Sequence, residues 1–85
     1  MIVKFHGNIL EHTNGEKSFE PESCSNLLGL KDELVSRYGE SFAELLSNDA
    51  LFFLVNGKGT MLTGGLETPL KKGDRVEVLP FVDAG

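Results

Sequence analysis

Val82-Asp83-Ala84-Gly85 follows almost directly on a strand-like run, Arg75-Val76-Glu77-Val78-Leu79. A short tail of small residues on a rigid body can be pushed into another protein's narrow active site. Glycine suits such a tail because it lacks a Cβ and lets backbone approach closely. The reactive group it offers is the main-chain carboxylate of Gly85, with Phe81, Val82, Asp83 and Ala84 as the segment threaded behind it. The bland alternative is a chain that ends on a small residue without chemical consequence.

Side-chain chemistry is sparse elsewhere. His6 and His12 fall in one hairpin, and Cys24 is the one soft ligand further on. Zinc wants three or four ligands closely arranged, so no metal site is expected. Cys24 lies near a helix start, where a thiol pKa can fall, although an inert residue is the commoner outcome. Gly57-Lys58-Gly59-Thr60 resembles a fragment of a phosphate loop. It lacks the upstream glycine and the following helix of that motif, and a hairpin turn accounts for it better. Two histidines and one cysteine give no catalytic triad or dyad.

Composition narrows the class. Eighty-five residues make one domain, 1–85, with one small core and a flexible tail at about 81–85. Apolar residues are 40% and charged residues 25%, ordinary values for a soluble globule. The formal charge is −5 and no basic run exceeds Lys71-Lys72, so the phosphate-binding surface of a nucleic-acid partner is missing. An acidic protein favours a partner with a basic docking patch. A single cysteine excludes an internal disulfide framework. Met1-Ile2-Val3-Lys4 does not open a signal peptide, and Leu51–Val55 is too short to span a bilayer. These features predict a cytoplasmic protein.

The elements follow from periodicity. Ile2–His6 alternates as a half-buried strand. His12–Gly15 carries turn residues, and Glu16–Phe19 is a weak second strand ended by Pro21. Leu27, Leu30, Leu34, Val35 and Tyr38 form one helical stripe, capped by Ser25 or Asn26 and closed at Gly39. Ser41–Leu46 reads as a short second helix, with Ser41 and Glu44 as a capping box. Leu51–Val55 is a strand, and Asn56-Gly57 supplies a type I′ turn. Thr60-Met61-Leu62 is the expected return strand, and Arg75–Leu79 the last one.

A helix of that length must bury its stripe against the sheet. The first and last strands then lie side by side and parallel. The expectation is α+β: a β-grasp, ubiquitin-like roll, with a mixed sheet of four to five strands and one main helix on one face. Successive strand residues point to opposite faces. Phe52 and Leu54 on one strand, and Leu79 and Phe81 on the other, therefore face away from the helix. Apolar residues there suggest partner contact, unless loops and the second helix cover them.

The ordered set of motifs now resembles a known family. Val55-Asn56-Gly57-Lys58, Thr68-Pro69-Leu70-Lys71-Lys72-Gly73-Asp74-Arg75-Val76 and Leu79-Pro80-Phe81-Val82 with its terminal glycine look like the small sulfur carriers MoaD and ThiS. The resemblance covers the whole chain, and the Leu-Pro-x-Val approach is more similar to MoaD, the small subunit of molybdopterin synthase. It implies a carrier rather than an enzyme, with no bound cofactor. An activating enzyme would use ATP to adenylate the Gly85 carboxylate, and a sulfur donor would convert it to a thiocarboxylate. A large synthase subunit would host the tail while sulfur passes to a pterin precursor.

The chain departs from that family in one place. It ends Ala84-Gly85 where the family ends Gly-Gly, and Asp83 adds a charge beside it. A methyl group narrows the fit into a tunnel shaped for glycine and restricts φ. The alternatives are a ThiS-like carrier for thiamin or tRNA thiolation, and a β-grasp interaction module without the chemistry.

Overall fold

A computed structural model describes residues 1–21, 24–48 and 50–80. Five strands form one sheet: β1 (Ile2–Phe5), β2 (Ser18–Phe19), β3 (Leu51–Val55), β4 (Lys58–Gly59) and β5 (Arg75–Pro80). Their order is β2-β1-β5-β3-β4. β1 and β5 are parallel, with Val3 beside Val76 and Phe5 beside Val78. The other neighbours are antiparallel. This is the ubiquitin-like β-grasp that the order of elements predicts.

The main helix, α1 (Leu27–Tyr38), lays Leu27, Leu30 and Leu34 into the core. Opposite them stand Val3, Phe5, Phe53, Val55, Val76 and Val78, all buried. Asn26 caps the helix, its side chain accepting a hydrogen bond from the Gly29 amide at 2.9 Å, which satisfies an otherwise unpaired donor. α2 (Glu40–Ser47) buries Phe42 completely. It therefore packs on the core side and leaves the other sheet face open. Tyr38, Phe42, Phe5 and Phe19 meet with ring centroids 5.5 to 6.2 Å apart.

Three local expectations need correcting. Ser41 does not cap α2. Gly39, at φ +88°, ends α1 and starts α2, its carbonyl accepting from the Phe42 and Ala43 amides, so Ser41 is already inside the helix. The second strand is shorter than Glu16–Phe19, because the Glu16 amide is held in a turn by the Thr13 carbonyl. The loop before it carries a 3-10 segment, Gly7–His12, that places Ile9 in the core.

The third correction matters most. Thr60-Met61-Leu62 is not the return strand. Lys58–Gly59 is, and the chain then turns into a single helical turn, α3 (Thr60–Thr63). Gly64, at φ +123°, closes that turn. Thr60 is buried while Met61 and Leu62 are 83% and 87% exposed. A strand there would have buried one of that adjacent pair.

Candidate functional site

The site is built on the central strand. β5 pairs with β1 on one side and β3 on the other, and Val76 and Val78 are fully buried. It runs to Pro80, which pairs with Leu51 and packs against Gly7. Gly7 has φ +67°, and a Cβ there would lie 3.1 Å from the Pro80 ring. The two elements thus close tightly around the end of β5. Phe81, Val82, Asp83, Ala84 and Gly85 lie outside the described residues.

Two sequence motifs meet at the other end of the sheet. Asn56 and Gly57 both have positive φ, +52° and +85°, as a type I′ turn requires. The Asn56 side chain donates to the Asp74 carboxylate at 3.0 Å and accepts from the Arg75 amide at 3.0 Å. The Lys71 amide donates to the other oxygen of Asp74 at 2.8 Å. These bonds to Asn56, and secondarily the one from Lys71, hold the Asp74 carboxyl below its usual range. The hairpin after β3 is thereby fastened to the entrance of β5, which fixes the register of the strand that leads to the tail.

The face away from the helices gathers three of the four residues read as partner-binding. Phe52 stands directly opposite Leu79, and Leu54 is two residues along from Phe52 on the same side. All three are half-buried. The fourth, Phe81, lies beyond the described residues. Phe52 also lies over Gly59, where an added Cβ would sit 3.2 Å from its ring. On the same face His6 Nε2, just past the end of β1, is 3.3 Å from Glu77 Oε1 on β5, a contact that alternation alone does not reveal.

A groove of about 460 Å³ wraps the β3 edge between α1 and α3, lined by Lys31, Leu51, Phe52, Phe53, Met61 and Leu66 among others. The exposed apolar knob of α3 escaped the sequence reading. Its signal was the pair of glycine-bearing segments around Thr60–Thr63, which free that stretch from the sheet. Gly57–Gly59 forms the hairpin turn and return strand; contrary to the expectation that no helix follows, Thr60 opens α3, whose single turn is too short to make a phosphate loop. Cys24 is half-buried, and burial, assisted by the Glu33 carboxylate, pushes its thiol pKa up, opposite to activation. Among the described residues no three His, Cys, Asp or Glu side chains form a metal-binding group, and no helix is long and apolar enough to cross a membrane.

Comparison with known proteins places this geometry. The ThiS family model matches residues 3–85. No curated protein matches the chain in sequence. Among solved structures, CysO in the BexX/CysO complex of Amycolatopsis orientalis is 31% identical, with a TM-score of 0.81 over 99% of this chain and 98% of that one. CysO of Mycobacterium tuberculosis is 26% identical, with a TM-score of 0.80 over 95% and 98%. The protein–protein complex of subunits 1 and 2 of the molybdopterin-converting factor of Helicobacter pylori includes a chain 28% identical, with a TM-score of 0.68 over 99% and 96%. The chain therefore belongs to the ThiS family and has the ThiS/MoaD-like fold of the small sulfur carriers.

Proposed function

We propose that this protein carries sulfur as a thiocarboxylate on Gly85. The carrying observation is β5: a central strand, paired on both sides and buried at Val76 and Val78, whose last residue, Pro80, immediately precedes residues 81–85 in sequence. A carboxylate is a poor electrophile. An activating enzyme makes it reactive when a carboxylate oxygen attacks the α-phosphate of ATP and pyrophosphate leaves. A sulfur donor then displaces AMP from the acyl-adenylate, leaving a nucleophilic sulfur on a rigid handle. The domain supplies the handle and the docking face, Phe52, Leu54 and Leu79 with Phe81, while the partners supply catalysis.

Two partner types follow, the adenylating enzyme and a larger sulfur-transfer protein. Likeness to the Helicobacter pylori subunit pair supports delivery to a pterin cofactor precursor in a synthase complex. The higher likeness to CysO, itself solved with BexX, supports the same carrier chemistry with a different receiving protein. Purified protein incubated with ATP, an activating enzyme and a sulfide donor should gain the mass of one sulfur in place of one oxygen, located at Gly85 by fragmentation. The reading fails if Gly85 stays a carboxylate with every activating enzyme of the family while a control carrier is converted.

A further inference from the structure

The net charge and the docking face point in opposite directions. Among the described strand residues, the face away from the helices carries Lys4, Arg75 and Glu77 as its charged groups, two cations against one anion. Its local charge is +1 in a chain of −5, so the remainder carries −6. The one carboxylate, Glu77, lies beside Lys4 in register, and its Oε1 is 3.3 Å from His6 Nε2, a buried nitrogen that makes no hydrogen bond. Lys4 and Arg75 make no ion pair among the described residues. A hollow of about 480 Å³ at the β1–β2 end of the face adds Lys17 to Lys4 and His6.

Distance decides which charge a docking partner feels. The molecule is 19 Å across its shortest axis. The Debye length at about 0.15 M salt is roughly 8 Å. The carboxylates of the helical layer are therefore largely screened from a protein approaching the sheet. The cations on that face, carried by the interior strands β1 and β5, are not. A second copy of this chain would set Lys4 and Arg75 against like charges and fits poorly.

We infer that the open sheet face selects a partner protein whose docking surface has an apolar centre, meeting Phe52, Leu54 and Leu79, and an acidic rim that pairs with Lys4, Arg75 and Lys17. This reverses the basic patch that the net charge favours. It rests on the proposal that the sheet face is where partners dock.

The test uses the full chain and two probes, BexX and subunit 2 of the Helicobacter pylori molybdopterin-converting factor, with association followed by stopped flow at about 0.15 M salt. Lys4→Glu and Arg75→Glu are compared with the double variant Ser36→Glu, Ser47→Glu at exposed positions of α1 and α2, which changes the net charge equally on the opposite layer. Circular dichroism confirms that each variant is folded. Each face variant should slow association about three-fold or more, and the Ser36→Glu, Ser47→Glu control should leave it within roughly 1.5-fold. Equal effects in both layers, or faster association for Lys4→Glu, overturn the inference while the carrier chemistry, read separately by thiocarboxylate formation, stands. Concentration-dependent self-association through this face also overturns it. No binding to either probe by the unmodified chain removes the docking reading and this inference with it.

Discussion

At the scale of single residues, the bonds that matter are those that set where elements begin. Asn26 holds the first turn of α1 through the Gly29 amide. Asn26→Ala leaves that donor unpaired and should cost about 1 kcal/mol, read as a lower urea midpoint with an unchanged slope. Asp74 gives a pH-dependent counterpart. Its folded-state pKa is lowered, chiefly by Asn56 and then by the Lys71 amide. The stabilisation is therefore full above the unfolded value of about 3.9 and is lost as pH falls through the lower folded value. Acid titration of unfolding should show a shallower loss below about pH 4 in Asp74→Ala than in the unmodified chain. An identical acid limb would mean that the Asn56–Asp74 link contributes nothing.

At the scale of elements, the sequence reading succeeded where periodicity is strong and failed where glycine interrupts it. The stripe Leu27–Leu30–Leu34 and the alternation of Val76 and Val78 each have one physical solution, a helix laid on a sheet. Met61-Leu62 has two solutions, since an apolar pair suits a strand or an exposed turn, and only the flanking Gly59 and Gly64 decide. The Asn56–Asp74 link was invisible because its partners are 18 residues apart. The charge of the sheet face away from the helices was invisible because composition sums over both layers. Exposure now gives a prediction. Replacing both Met61 and Leu62 by Gln should change stability by no more than about 0.5 kcal/mol in denaturant unfolding. Gly39 behaves oppositely. It serves α1 and α2 at φ +88°, so Gly39→Ala should cost about 1 kcal/mol or more although its Cβ would meet nothing within 4 Å. A smaller loss would show that the α1–α2 junction relaxes without it.

At the scale of the whole molecule, the proposed carrier chemistry requires the body and its reactive end to be separable. Every buried apolar residue among those described lies between Val3 and Val78. Deleting Gly85 leaves each of those residues in place. It should leave the unfolding midpoint within about 0.5 kcal/mol of the full chain and abolish conversion to the thiocarboxylate. Leu30→Ala gives the complementary result. Leu30 is fully buried, and its truncation should cost about 2–5 kcal/mol. It lies on the helix side of the sheet, away from Phe52, Leu54 and Leu79, so thiocarboxylate formation per folded molecule should be unchanged. Calorimetry and mass spectrometry on the two variants thus load different measurements. If loss of Gly85 also melted the domain, the final residues would be part of the fold, and a handle held out from a rigid body would be the wrong physical picture.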